Sequence, residues 1–321
     1  MTPSPSACPE DGLPASVTVY EVGPRDGLQA EQHVIDTATK VELIRKLAAS
    51  GLDTIEATSF VSARWVPQLG DASDVLAELD LDDSVRYPVL VPNERGMSRA
   101  LESGAREVAV FASATESFAH SNLGRGVDEA LAAFAPVVAE ARRRDMPVRG
   151  YISMCFGDPW EGPVSFDAVV AVARELVEQG CSCISLGDTI GVATPGHVKA
   201  LVAALDEGGV PPVMLALHCH DTYGQALANV YAGLQVGIGQ FDSSVGGIGG
   251  CPFAKSATGN LATEDLVWML HGLGYNTGID LDALVCTSSW MSTILQRPSP
   301  SRVVAALSRP EDQSAQIGGT P

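Results

Sequence analysis

The chain is poor in positive charge: of 321 residues only four are lysine (40, 46, 199 and 255), and 20 Lys and Arg face 39 Asp and Glu, a net charge of −19. Nucleic acids and anionic membrane surfaces need a basic footprint, so neither is expected as a partner. An anionic substrate would need local cations. Long apolar runs are also missing. The longest, Ala130 to Ala139, is broken by Pro136 and falls well short of the roughly 18 residues of a membrane span. The opening residues, MTPSPSACPEDGLPAS, have neither a basic region nor an apolar stretch, so they read as a loose leader and a cytoplasmic location is expected. Seven Cys without the spacing of a small scaffold favour free thiols, and a zinc site built from Cys181 and Cys183 is not expected. What is abundant is apolar residue: a hydrophobic content of 45% suffices for a large core and excludes a chain that stays disordered.

Short β-branched or apolar runs alternate with helical stretches. Strands are expected at 17–22, 54–60, 87–91, 107–112, 148–154, 183–188, 213–220 and 240–246, and helices at 37–50, 73–79, 127–144, 166–179, 195–205, 224–235 and 263–270. Such connections make the strands parallel, and a parallel sheet needs helical cover. The expected fold is α/β: a TIM (β/α)8 barrel forming one catalytic domain at 17–285, after the leader at 1–16 and before a C-terminal helix and flexible tail at 286–321. A doubly wound open sheet is the alternative, but GPRDGLQ stands where a G-x-G-x-x-G would follow the first strand. Barrel active sites lie at the C-terminal ends of strands. Polar residues gather there: Arg25 and Asp26 after the first strand, Glu56 in the second, Arg149 and Tyr151 in the fifth, Ser185 and Asp188 ending the sixth, His218 and His220 on the seventh, Cys251 and Asn260 after the eighth.

Two residues apart on a strand, His218 and His220 face the same side and offer two nitrogens to one cation; a structural histidine pair is the plainer reading. With oxygens from Asp26 and the Asn260 amide they make a mixed N/O set that suits Mg²⁺ or Mn²⁺ better than a structural zinc. Arg25 and Asp26 read either as a solvated surface pair or, given their place after the first strand, as an oxyanion holder beside a carboxylate that binds metal or takes a proton. Cys251, in SSVGGIGGCPFAKSATGN (243–260), is either an inert small hydrophobe or a general acid on a flexible lid, and spacing does not separate the two.

In order along the chain, EVGPRDGLQ, IEATSFVS followed by WVPQ and GD, RGYIS, SLGDTIGVATPG, HCHDTYGQALAN, and SVGGIGGCPFA with GNLATEDLV resemble the 3-hydroxy-3-methylglutaryl-CoA lyase family, from about Val17 to about Leu284. The resemblance implies a carbon-carbon lyase that cleaves 3-hydroxy-3-methylglutaryl-CoA to acetyl-CoA and acetoacetate, chemistry of the leucine-degradation type. It implies Mg²⁺ or Mn²⁺ on Asp26, His218, His220 and Asn260, with Arg25 stabilising an enolate, Cys251 as the catalytic thiol and Glu56 beside them. Gln29, Arg149, Tyr151, Ser185, Asp188 and Asn122 would meet the substrate, and a homodimer is expected. Asp26 and His218 both stand as proton acceptors.

Departures from the family pattern bear on the substrate. Gln32 stands where animal relatives carry lysine, and ESFAHSNLGRG (116–126) lacks a lysine pair, which leaves the CoA phosphates to Arg125 and backbone N–H groups near Asn122. Asp158 stands where many relatives carry cysteine. A longer or differently branched 3-hydroxy-3-alkylglutaryl-CoA is therefore an alternative substrate. A Claisen-type 2-alkylmalate synthase is a weaker one, since those enzymes add a C-terminal regulatory domain and only residues 286–321 follow the barrel here.

Overall fold

The computed structural model describes residues 4–79, 81, 84–250 and 259–308; Cys251 and the expected flexible tail from 309 on lie outside the described residues. One sheet holds eight strands: β1 Thr18–Glu21, β2 Thr58–Ser59, β3 Val89–Leu90, β4 Val108–Ser113, β5 Val148–Ser153, β6 Cys183–Asp188, β7 Leu215–Cys219 and β8 Gln240–Ser243. Every pairing is parallel and joins sequence neighbours, and β8 returns to β1 in the register Thr18↔Gln240 to Glu21↔Ser243. A parallel bridge between Glu21 and Ile55 closes the ring. This is the expected TIM (β/α)8 barrel. β7 starts at Leu215, later than expected, because Pro212–Met214 form a 3-10 turn.

The helices are α1 Thr37–Ala49, α2 Ala72–Glu78, α3 Glu94–Glu102, α4 Glu116–Leu123, α5 Val127–Arg143, α6 Phe166–Gln179, α7 Pro195–Glu207, α8 Ala226–Gln235, α9 Thr263–Gly272, α10 Leu281–Leu295 and α11 Arg302–Leu307. None is long and apolar enough to cross a membrane. α3 and α4 are short helices outside the expected set: α3 turns Met97 and Ala100, three residues apart, to the core, and α4 buries only Phe118 and Ala119. A cap does mark α3, where the Asn93 side chain accepts from Gly96 N at 3.0 Å. Alternate strand residues face outward into the helical layer, as Val148 and Ile152 of β5 do, while Tyr151 belongs to a small cluster with Leu90 and Ala109. The barrel interior is otherwise polar, with Tyr20, Glu56, Arg149, Ser185 and Asp242 all buried.

The WVPQLGD stretch fastens two mouth loops together. Lys40 of α1, only 3% exposed, donates to Gln68 O and pairs with Asp71 at 2.8 Å, while Gln68 Oε1 accepts from Ile35 N at 2.9 Å and its Nε2 reaches Leu28 O at 3.2 Å. The β1–α1 loop is thus held against the segment entering α2. Lys40→Met leaves Asp71 without its cation and should cost about 2–3 kcal/mol of stability, below the full cost of breaking a buried pair because the Asp71 side chain is 20% exposed. Urea unfolding measures it, and a loss under 0.5 kcal/mol (about the spread of a surface substitution) would contradict this role.

The C-terminal extension is a second fastening. Arg297 pairs with Glu31 of the β1–α1 loop, and Ser299 Oγ donates to Gly246 O at 2.9 Å. Asp265 of α9 accepts from Ser301 Oγ at 2.7 Å and Val303 N at 2.8 Å, which seats α11. At the opposite end of the barrel the expected leader makes backbone contacts of its own: Cys8 N donates to Gly272 O and Tyr275 Oη to Pro14 O, both at 2.8 Å.

Candidate active site

Beyond β1 the chain makes one wide π turn, Gly23–Gly27, in which the N–H groups of Arg25, Asp26 and Gly27 all donate to Val22 O. The turn sets Arg25 and Asp26 side by side at the strand end. Gly27 is needed for close approach, since a Cβ there would lie 2.7 Å from Ile248 Cγ1 and 2.8 Å from Ser244 Oγ. Arg25 is 6% exposed and held on two sides: Nε and Nη2 each lie 2.7 Å from Glu56 Oε2, and Nη1 lies 2.8 Å from Asp26 Oδ1. Tyr151 Oη also donates to Glu56 Oε2, at 3.2 Å, and the guanidinium carbon stands 5.4 Å from the Tyr151 ring centre. Burial raises the pKa of Glu56, with Arg25 opposing it; Glu56 Oε1 is buried without a partner.

Asp26, His218 and His220 each present a ligand atom within 4.8 Å of the others, the one such cluster among the described residues. His218 and His220 come from the end of β7 with ring centres 5.4 Å apart. An antiparallel bridge between His220 and Asn260 brings in the amide, whose Nδ2 donates to Asp26 Oδ2 at 2.8 Å and to Ile248 O at 3.2 Å. Two polar atoms in this cluster are buried with no partner, Asn260 Oδ1 and His220 Nδ1. Leaving a buried polar atom unpaired costs roughly 1–3 kcal/mol, and a cation would satisfy such atoms. The protonation states agree. Burial opposes the Asp26 carboxylate, but Arg25, His218 and Asn260 outweigh it and hold its pKa at about 2, while burial, then His218, lowers His220 to about 4. At neutral pH both are in the form that binds metal. The residues therefore fit a divalent cation.

The other expected residues are distributed differently. Arg149 and Ser185 are turned to Asp242, an acid not singled out from sequence. Arg149 pairs with Asp242 Oδ1, Ser185 Oγ donates to Oδ2 at 2.8 Å, and His218 Nδ1 lies 3.2 Å from the same Oδ2. Asp188 accepts from Ala193 N at 3.1 Å, closing the loop after β6, and burial raises its pKa to about 6. Gln29 is half-buried one turn beyond Arg25, and Asn122 and Arg125 are exposed at and beyond the end of α4. Asp158 serves its own hairpin, accepting from Thr115 Oγ1, Trp160 N and Glu161 N.

Two further buried acids support the glycine loop from below. Glu21 accepts from Gly23 N, Val245 N and Thr263 Oγ1, and both oxygens of Glu264 accept from Gly246 N. Burial raises Glu21 to about 7 and Glu264 to about 8. A carboxyl raised on folding stabilises most below its unfolded value near 4.5 and loses that contribution as pH climbs through the folded one. Stability should therefore fall between about pH 5 and pH 8, and Glu264→Gln should flatten the decline. Melting temperatures of the two proteins across that range check it, and parallel curves would count against it.

Comparison with known proteins agrees with this geometry. The chain is 51% identical over 298 residues to the mitochondrial hydroxymethylglutaryl-CoA lyase of Arabidopsis thaliana, covering 93% of this chain and 64% of that longer protein. The crystal structure of hydroxymethylglutaryl-CoA lyase from Pseudomonas aeruginosa superposes with a TM-score of 0.89 at 49% identity, over 92% of this chain and 98% of that one. An HMG-CoA lyase from Acinetobacter baumannii, solved with coenzyme A and 3-methylmalate, gives 0.86 at 36% identity, over 95% and 98% of the two chains. The HMGL-like family model matches residues 16–291, and with the whole barrel and the Arg25 to Asn260 constellation inside that match, this chain belongs to the HMGL-like family.

Proposed function

We propose that the protein cleaves 3-hydroxy-3-methylglutaryl-CoA to acetyl-CoA and acetoacetate. The observation that carries the reading is the meeting of a buried, doubly paired Arg25 with the Asp26, His218, His220 and Asn260 cluster at one barrel mouth. Mg²⁺ or Mn²⁺ held by those four residues would act as a Lewis acid that makes the C3 hydroxyl of the substrate more acidic. Asp26, in the same cluster, is the group placed to take that hydroxyl proton. As the C2–C3 bond breaks, its electron pair passes to C2, acetoacetate separates, and the acetyl-CoA enolate carries the charge on its thioester oxygen. Arg25 meets that oxyanion with a charge already fixed by Glu56, so no side chain must reorganise as the charge develops. Cys251 then supplies a proton to the enolate carbon.

Asp158 commits its carboxylate to Thr115 and its own turn, and so gives no reason to prefer a larger acyl group. Exposed Arg125 serves the CoA phosphates. The test is acetoacetate release from a panel of 3-hydroxy-3-alkylglutaryl-CoA thioesters. Release fastest from the methyl compound is expected; none from any member defeats the reading, and a preference for a larger group moves it to the related substrate. A cytoplasmic homodimer belongs to the same proposal, checked by light scattering on the purified protein and by cell fractionation.

A further inference from the structure

We infer that Asp242 is the positioning residue of the cation cluster, fixing which nitrogen of His218 faces it. The inference rests on the cation reading above. Asp242 lies on β8 in register with His218 on β7 and is 2% exposed. Its Oδ1 is taken by Arg149, buried over the face of Tyr20 with 4.1 Å from guanidinium carbon to ring centre. Its Oδ2 receives Ser185 Oγ at 2.8 Å and stands 3.2 Å from His218 Nδ1.

Arg149 can only donate to Oδ1 and Ser185 Oγ donates to Oδ2, so both oxygens of Asp242 act as acceptors and the hydrogen between Asp242 and His218 sits on Nδ1. Nε2 is left with a bare lone pair, and it is the nitrogen on the Asp26 side, 3.9 Å from Oδ2. Tyr151 meets the ring edge-on with centres 6.2 Å apart. A buried ion pair made only for the barrel core would need only Oδ1. The second oxygen, steadied by Ser185, is aimed at the imidazole. Asp242 itself reaches no ligand atom of the cluster, so it acts through His218.

Asp242→Asn tests this at nearly constant volume. The guanidinium will claim the amide oxygen, which turns the NH₂ toward His218 and forces the hydrogen onto Nε2. Mn²⁺ titration followed by electron paramagnetic resonance should show binding roughly 10- to 100-fold weaker than wild type. Because the lone guanidinium left behind can prevent folding, the double variant Arg149→Met/Asp242→Leu, which removes both charges, should show the same loss. ¹⁵N NMR of the wild type with Mg²⁺ should find the His218 proton on Nδ1. Mn²⁺ affinity within twofold of wild type in either folded variant, or a wild-type proton on Nε2, overturns the inference. A wild-type protein that binds no Mn²⁺ defeats the cation reading itself, a result distinct from equal binding by the variants.

Discussion

Arg25→Met should lower kcat about 10³-fold, roughly 4 kcal/mol of transition-state stabilisation, while KM changes little. The asymmetry follows from charge: the thioester oxygen is neutral in the bound substrate and anionic only as the enolate forms, so a cation beside it favours the transition state selectively. Arg25 is suited to this because Glu56 and Asp26 hold its nitrogens in place and the side chain is almost fully buried, where charge is weakly screened. The variant should still fold, because Glu56, its pKa already raised by burial, can take a proton once the guanidinium is gone and keep its bond to Tyr151. Arg25→Lys should recover only part of the loss, since one ammonium cannot span Glu56 and Asp26 as the planar fork does. Steady-state kinetics on both variants decide the matter. A kcat within threefold of wild type for Arg25→Met would place the oxyanion elsewhere.

Withdrawal of divalent cations should abolish turnover, and added Mg²⁺ or Mn²⁺ should restore it. The donor set is assembled before any ion arrives: Asp26 is ionised and His220 neutral at pH 7, and Asn260 Oδ1 is buried without a partner. Binding to the folded state alone also stabilises it, by about 2.7 kcal/mol at a cation concentration one hundred times Kd, so thermal unfolding gives a readout independent of activity. The pH dependence has a definite sign. Burial lowers the pKa of His218, but its bond to Asp242 and the charge of Asp26 prevail and raise it above the ordinary histidine value. A proton therefore competes with the cation there more strongly than at a free histidine, and apparent affinity should fall as pH drops. Full activity after exhaustive chelation, with no cation-dependent change in melting, would remove the ion from the mechanism.

The parts of the site that could be read from sequence are those set by spacing of one or two residues. His218 and His220 share a face because strands have a period of two, and Arg25 and Asp26 follow a strand whose end is punctuated by Pro24 and Gly27. Alternation gives the face of a strand but not the depth along it. Arg149 is the second residue of β5 and meets Asp242 across the barrel, whereas Tyr151, two residues on, reaches Glu56. Asp242 escaped notice because its meaning lies in the register of β8 against β7, a long-range pairing that local pattern does not encode. Lys40, Gln68 and Asp71 are similar: WVPQ and GD could be matched as motifs, but their use as a fastening depends on contacts about thirty residues apart. The strand order was legible for the opposite reason, since each barrel strand pairs with its sequence neighbours and only the return of β8 to β1 is remote.

The C-terminal extension gives the mouth a mechanical property of its own. Arg297 grips the loop that carries Arg25 and Asp26, and Ser299, two residues later, grips the glycine loop at Gly246. The two halves of the catalytic constellation, encoded more than two hundred residues apart, are thereby gauged against one short ruler. A single residue inserted between Arg297 and Ser299 would lengthen that ruler by up to about 3.5 Å, enough to shift one loop against the other while every residue of the site kept its identity.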